Sequence, residues 1–202
     1  MTEESPRSDA PLVDQNDADL MSLAAGGEST AIEVLYDRYN RIVFSFALRI
    51  IGDRQSAEEL LQEVFFRVWR QAGAYSDRRG SFVTWLLSIT HNMAIDEVRR
   101  RRRRPQRADQ EDPIEFLASM ADRGRSVEQD VLLNSLRDQV NAAMNELPVA
   151  QRDALELAYF RGLTQREIAD ELGEPLGTIK TRMRLGLRKL RANLEQQEVE
   201  SA

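Results

Sequence analysis

The chain of 202 residues has no cysteine and a single histidine, His91. Disulfides and thiol redox chemistry are excluded by that count, and a Cys/His zinc site nearly so. Long apolar runs are missing as well. No stretch approaches the roughly 20 residues needed to span a bilayer, and the opening MTEESPRSDAPL lacks the apolar centre of a signal peptide. The expected location is cytoplasmic. His91 and Asp96 would be the nucleus of a hydrolase, but the chain supplies neither a triad nor a ligand set around them. No enzyme activity, catalytic residue, metal, cofactor or small-molecule substrate is therefore expected.

A basic excess is missing too. Net charge is -6 and the isoelectric point about 5.1, which taken alone argues against a nucleic-acid binder. Distribution reverses that inference. Basic residues gather in Arg99 to Arg107 and Lys180 to Arg191, whereas acids dominate Asp53 to Glu63 and Asp109 to Asp130. Charge separated in this way gives one surface to DNA and another to a protein partner. Hydrophobic content of 42% suffices for cores, and 202 residues suit two compact units better than one.

The most informative stretch is TQREIADELGEPLGTIKTRMRLGLRKLR, from Thr164 to Arg191. Thr164 and Glu167 form a capping-box pattern at a helix start. Ile168, Ala169 and Leu172 give that helix an apolar face, and Gly173-Glu174-Pro175 breaks it. The next helix carries an apolar stripe at Ile179, Met183, Leu187 and Leu190. Lys180, Thr181, Arg184 and Arg188 lie off the stripe, and no carboxylate occurs from Leu176 to Leu194. This is a helix-turn-helix with a cationic second helix, suited to the major groove. An ordinary helical hairpin with a solvated basic face is the bland alternative.

Upstream, residues 1–16 are expected to be a disordered tail. From Asp17 the pattern is helical: Ile32, Leu35, Tyr36, Tyr39, Val43, Phe46 and Ile50 form a long stripe closed by Gly52. Asp53 or Ser56 caps the next helix, whose core face includes Leu61, Val64, Phe65 and Val68. Glu58, Glu59, Gln62 and Glu63 occupy its other face, where i,i+4 pairing with Arg67 and Arg70 would make an ordinary solvated surface. After the loop GAYSDRRG, Ser81 opens a helix with Phe82, Leu86, Ile89 and Met93 buried. Trp85, Ser88, Asn92 and Arg99 share a second face. The Asn92 amide, on a face ending in an arginine run, is suited to a base edge. Six consecutive arginines, Arg99 to Arg104, repel one another and want a polyanion. Gln106 to Ser126 reads as an acidic linker. Val127 to Leu147 is helical again, with Leu132 or Leu133, Leu136, Val140 and Met144 on one side, and Leu155, Ala158 and Tyr159 should pack on the helix-turn-helix.

Together these residues resemble a bacterial sigma factor of the extracytoplasmic-function (ECF) class. Asp53, Ala57-Glu58-Glu59-Leu60, Gln62-Glu63-Val64-Phe65 and Val68-Trp69, then Gly80-Ser81-Phe82, Trp85-Leu86, Ile89, Asn92, Asp96 and Arg99-Arg100, are similar to sigma region 2. Leu147-Pro148, Gln151-Arg152, Leu157, Tyr159, Gly162-Leu163-Thr164, Glu167-Ile168-Ala169, Leu172-Gly173 and Gly177 through Arg182 are similar to region 4. Two motif sets in this order make the resemblance specific. It implies an all-α chain of two small helical domains, a region 2 bundle over 17–104 and a region 4 helix-turn-helix over 127–194. A flexible acidic linker, 105–126, joins them, and 195–202 is a tail.

The resemblance also assigns roles. Glu58, Glu59, Gln62 and Glu63 match the segment that docks core RNA polymerase. Arg78, Arg79, Ser81, Trp85, Ser88, Asn92, Arg99 and Arg100 match the surface that captures a flipped base of the unwound -10 element and its backbone. Thr178, Lys180, Thr181, Arg184, Leu185 and Arg188 occupy -35 reading positions. The implied partners are core RNA polymerase, promoter DNA and an anti-sigma factor, which in this family is often membrane-linked. The linker's negative charge suits imitation of a transcript in the polymerase's exit path. Trp85-Leu86 stands where housekeeping sigma factors carry two adjacent aromatics, so strand opening leans on base capture. A free-standing dimeric regulator is the competing function, and the first domain discriminates against it.

Overall fold

The computed structural model describes residues 11–103 and 139–200. The linker and the expected helical residues 127–138 lie outside these. Two compact units result, one ending at Pro113 and the next starting at Ile114. Among the described residues there are helices and turns and no strand.

The first unit contains α1 (Asp17–Ala25), α2 (Ser29–Ile51), α3 (Arg54–Arg70) and α4 (Phe82–Arg103). Asn16 caps α1 by accepting from the Asp19 N–H, and Gly52, at φ 70°, closes α2 in the left-handed region that glycine tolerates. Asp53, not Ser56, caps α3. The helix α2 is central, packing on α1, α3 and α4. Leu35 and Val43 of α2 are fully buried together with Leu20, Met21, Val64, Val68, Phe82 and Leu86 around it, each contributing about 1.5–3 kcal/mol of apolar burial. Residues 1–10 of the expected tail lie outside the described residues, and within its remainder a 3-10 turn forms at Leu12–Asp14.

The second unit contains a helical stretch at 139–145, then α5 (Val149–Tyr159), α6 (Gln165–Leu172) and α7 (Leu176–Glu200). Its core joins Ala154, Ile168, Ala169 and Ile179, with Leu163 and Met183 packed against them. Thr164 and Glu167 form the reciprocal capping box. Gly173, at φ 65°, turns the chain toward α7, which runs past the expected boundary at 194.

Three expected apolar positions face elsewhere. Leu187 is 55% exposed, and the buried line on α7 passes through Ile179, Gly186 and Asn193 instead. Seven residues return almost to the same helix azimuth, whereas eight overshoot it by most of a quarter turn. Gly186 is where α5 comes closest: a Cβ there would meet Leu155 Cδ1 at 3.0 Å and Gln151 Cβ at 3.3 Å. Val140 is exposed while Ala143 and Leu147 are buried, and the Asn193 amide donates to the Ala143 carbonyl at 3.4 Å. Tyr159 is also exposed, its ring edge-on to Phe160.

Candidate functional site

On α3, Glu58, Glu59, Gln62 and Glu63 are all exposed. Glu58 pairs back to Arg54 at 2.8 Å and Gln55 donates to Glu59 at 3.1 Å. The expected i,i+4 pairing of this face with Arg67 and Arg70 is not seen among the described residues, where Glu58 and Glu59 meet Arg54 and Gln55 one turn upstream. Arg70 instead lies over the Phe66 ring, 5.7 Å from its centroid. Phe66 and Trp69, at 49% and 43% exposure, continue the face that begins at Gln62. Sequence reasoning passed over Phe66. The signal was the Phe65-Phe66 pair: adjacent residues are about 100° apart on a helix, and Phe65 takes the core.

The loop before α4 is built from its own backbone. The Asp77 carboxylate accepts from the Arg78 N–H at 2.8 Å, and the Arg79 guanidinium donates to the Ala74 carbonyl at 2.5 Å. Arg78 and Arg79 are both exposed, with Arg79 partly spent holding the loop. Gly80 adopts φ 135°, after which the Ser81 hydroxyl accepts from the Thr84 N–H at 3.3 Å and caps α4. Trp85 is half-buried between Tyr75 and Phe82, with ring centroids 5.5 and 6.1 Å away. The Ser88 hydroxyl donates to the Trp85 carbonyl at 2.7 Å. Ser88, Asn92, Arg99 and Arg100 are exposed along α4.

The arginine run is in part engaged within the fold. Arg100 pairs with Glu97 at 2.7 Å. Arg101 turns inward to Glu97 at 3.0 Å and to Asp53 at 2.8 Å, and also donates to the Ser56 hydroxyl. Hydrogen bonds from Ser56 and Arg101 hold the Asp53 carboxyl at about 2. Burial opposes ionisation of Glu97, but Arg100 and Arg101 outweigh it and keep that carboxyl below its ordinary range. Arg101 therefore belongs to a network joining the start of α3 to the end of α4, and the expectation of an outward-facing run is corrected at this residue. His91 stacks on Phe46 at 6.3 Å, and no group of three or more potential ligands for a metal occurs among the described residues.

On α7, Lys180, Arg184 and Arg188 are exposed at successive turns of one face. Thr181 is exposed, with its hydroxyl donating to the Gly177 carbonyl at 2.9 Å. Thr178 and Leu185 are half-buried beside them. Two acids just before α7 are engaged elsewhere: Glu174 with Arg182 at 2.9 Å, and Glu171 with Arg161 at 2.6 Å. The basic face thus keeps its field, with no carboxylate on α7 before Glu195.

A helical bundle with exposed carboxylates on α3 and an exposed amide and guanidinium groups on α4, followed by a helix-turn-helix, is the architecture of sigma-70 proteins. Residues 35–104 match the family described as Sigma-70 region 2, and residues 143–192 match Sigma-70, region 4. The ECF RNA polymerase sigma factor SigK of Mycolicibacterium vanbaalenii is 35% identical over 181 residues, 90% of each chain. SigK of Mycobacterium tuberculosis (strain ATCC 25177 / H37Ra) is 33% identical over 177 residues, 87% of this chain and 92% of that one. The chain belongs to the ECF RNA polymerase sigma factors of the sigma-70 family. Among solved structures, Rhodobacter sphaeroides SigE in complex with the anti-sigma ChrR is 30% identical, covering 88% of this chain and 97% of that chain, with a TM-score of 0.44.

Proposed function

We propose that this chain is an alternative sigma factor that binds core RNA polymerase, recognises -35 and -10 promoter elements, and is held inactive by an anti-sigma factor. One observation carries the reading: a single helical unit exposes both a carboxylate-and-aromatic face on α3 and an amide-and-guanidinium face on α4. A duplex-binding repressor has no use for that combination. On this proposal Glu58, Glu59, Gln62 and Glu63 dock the polymerase, with Phe66 and Trp69 as apolar anchors.

Arg78, Ser88 and Asn92 face the unwound -10 strand, Trp85 backs the captured base, and Arg79 and Ser81 act by shaping the loop. Extruding a base costs a few kcal/mol of stacking. Phosphate contacts by Arg99 and Arg100 help to offset that cost. Lys180, Thr181, Arg184 and Arg188, with Thr178 and Leu185 beside them, read or clamp the -35 duplex. The protein acts in the cytoplasm and performs no catalysis itself.

Transcription with purified core polymerase on genomic fragments tests this directly. Discrete start sites that vanish when this chain is withheld are expected. A chain that sediments apart from core polymerase at low ionic strength, and instead binds duplex as a dimer, would overturn the proposal.

A further inference from the structure

Asp17 lies outside both the docking face and the strand-facing surface, yet both of its carboxylate oxygens are engaged. One of its oxygens accepts from Arg38 Nη1 at 2.8 Å and the other from the Tyr39 hydroxyl at 2.5 Å. Arg38 Nη2 also donates to the carbonyls of Val13 and Gln15, at 2.6 and 2.7 Å. The Asp17 and Arg38 side chains are 23% and 14% exposed. Charge-assisted bonds of this kind are roughly twice as strong as neutral ones and fix direction as well as distance. They bind the segment Leu12–Asp17 to the middle of α2.

Tyr39 passes the constraint on. Its ring packs on Phe82 at 5.3 Å, and Phe82 lies 5.9 Å from Tyr75 and 6.1 Å from Trp85. Tyr75 is the last residue before the loop Ser76 to Ser81, and α1 packs on the 3-10 turn Ala72–Ala74 that leads into it. Trp85 stands one turn before Ser88 and two before Asn92 on α4. Four rings therefore form a wall beneath the loop and the amide face, and Asp17 anchors one end of that wall.

We infer that the Asp17–Arg38–Tyr39 clasp is a positioning device for promoter opening, fixing the aromatic wall against which the flipped -10 base is held. The inference rests on the proposed -10 role of the loop and Asn92. None of the three clasp residues needs to touch DNA. Their effect is geometric, and a misplacement near 1 Å at a recognition surface suffices to lose most of its discrimination. Burial, then the bond to Asp17, pushes the Tyr39 phenol above its ordinary range, so it remains a donor across physiological pH.

Asp17→Asn removes the charge at nearly constant volume, and Tyr39→Phe removes one hydrogen bond while keeping the ring. Each variant is assembled with core polymerase and bound to a fork-junction promoter whose -10 non-template strand is unpaired. A second template is abasic at the captured position. The affinity ratio between the templates reads capture, and polymerase affinity and thermal unfolding are measured alongside. The ratio should fall about tenfold in both variants, with polymerase affinity unchanged. Equal losses on both templates, or an unchanged ratio in both variants beside a discriminating wild type, would overturn the clasp's role. A wild-type ratio of one would instead remove the base-capture proposal on which the inference stands.

Discussion

Arginines that look alike in the sequence do different work according to what their guanidinium meets. Arg184 is exposed in line with Lys180 and Arg188. If it makes a bidentate base contact, Arg184→Ala should cost about 1–3 kcal/mol on a preferred -35 duplex. Competition binding against random duplex checks this, since an equal loss on both would make it a phosphate contact. Arg101 is the opposite case, because its partners Asp53, Glu97 and Ser56 are internal. Its consequence is seen in the pH dependence of stability. The Asp53 carboxyl sits at about 2 in the folded chain against an ordinary 3.8, so it stabilises fully above the ordinary value, and that stability is lost as pH falls through the folded one. The carboxylate is 37% exposed, and solvent screening reduces the contribution to about 1 kcal/mol. Urea unfolding of the wild type and Asp53→Asn should therefore differ near pH 6 and converge as pH approaches the folded value. A constant difference across that window would show that ionisation is not the source.

At the scale of the element, the crossing of α5 on α7 depends on a residue with no side chain. Gly186→Ala would gain up to about 1 kcal/mol of helix propensity. Its Cβ, however, would meet Leu155 Cδ1 at 3.0 Å and Gln151 Cβ at 3.3 Å. Overpacking of a tight contact costs about 1–3 kcal/mol, so the second unit should melt earlier; a rise in its melting temperature would show that the helices part without cost. This contact also marks where sequence legibility ends. The capping box Thr164–Glu167, the left-handed Gly173 and the division between α6 and α7 were legible because each depends on residues within one turn. The exposed face of α3 was legible because carboxylates recur at helical spacing, and that of α4 because Ser88, Asn92 and Arg99 keep helical offsets from Trp85. That Gly186 rather than Leu187 faces α5, that Arg101 turns back to Asp53, and that Arg38 holds the Val13 and Gln15 carbonyls depend on partners distant in the chain. Periodicity carries no information about such distances. Periodicity did place Phe65 in the core, where its ring meets Tyr36 at 4.9 Å, and the adjacent Phe66 follows from that as the exposed member of the pair.

Across the whole molecule, an acidic chain with net charge -6 must hold a polyanion. On the proposed roles, the local fields of α7 and of Arg99 and Arg100 on α4 attract DNA, while the α3 carboxylates and the net charge repel it within roughly one Debye length, about 8–10 Å at ordinary ionic strength. Docking of α3 on a basic surface of the polymerase would neutralise those carboxylates and remove the repulsion. The double variant Glu59→Lys with Glu63→Lys should therefore have two opposite effects. Exposed surface charges contribute little to folding, so circular dichroism and thermal unfolding should be nearly unchanged. Affinity for core polymerase should fall, while the isolated chain's weak binding to duplex should strengthen, because the net charge moves four units in the positive direction. Fluorescence anisotropy with labelled polymerase and labelled promoter reads both effects on one preparation. Loss of both kinds of binding would indicate damage to the fold, and unchanged polymerase affinity would remove Glu59 and Glu63 from the docking face. An opposed response is what a carboxylate face that recruits the enzyme and holds the free protein off DNA requires.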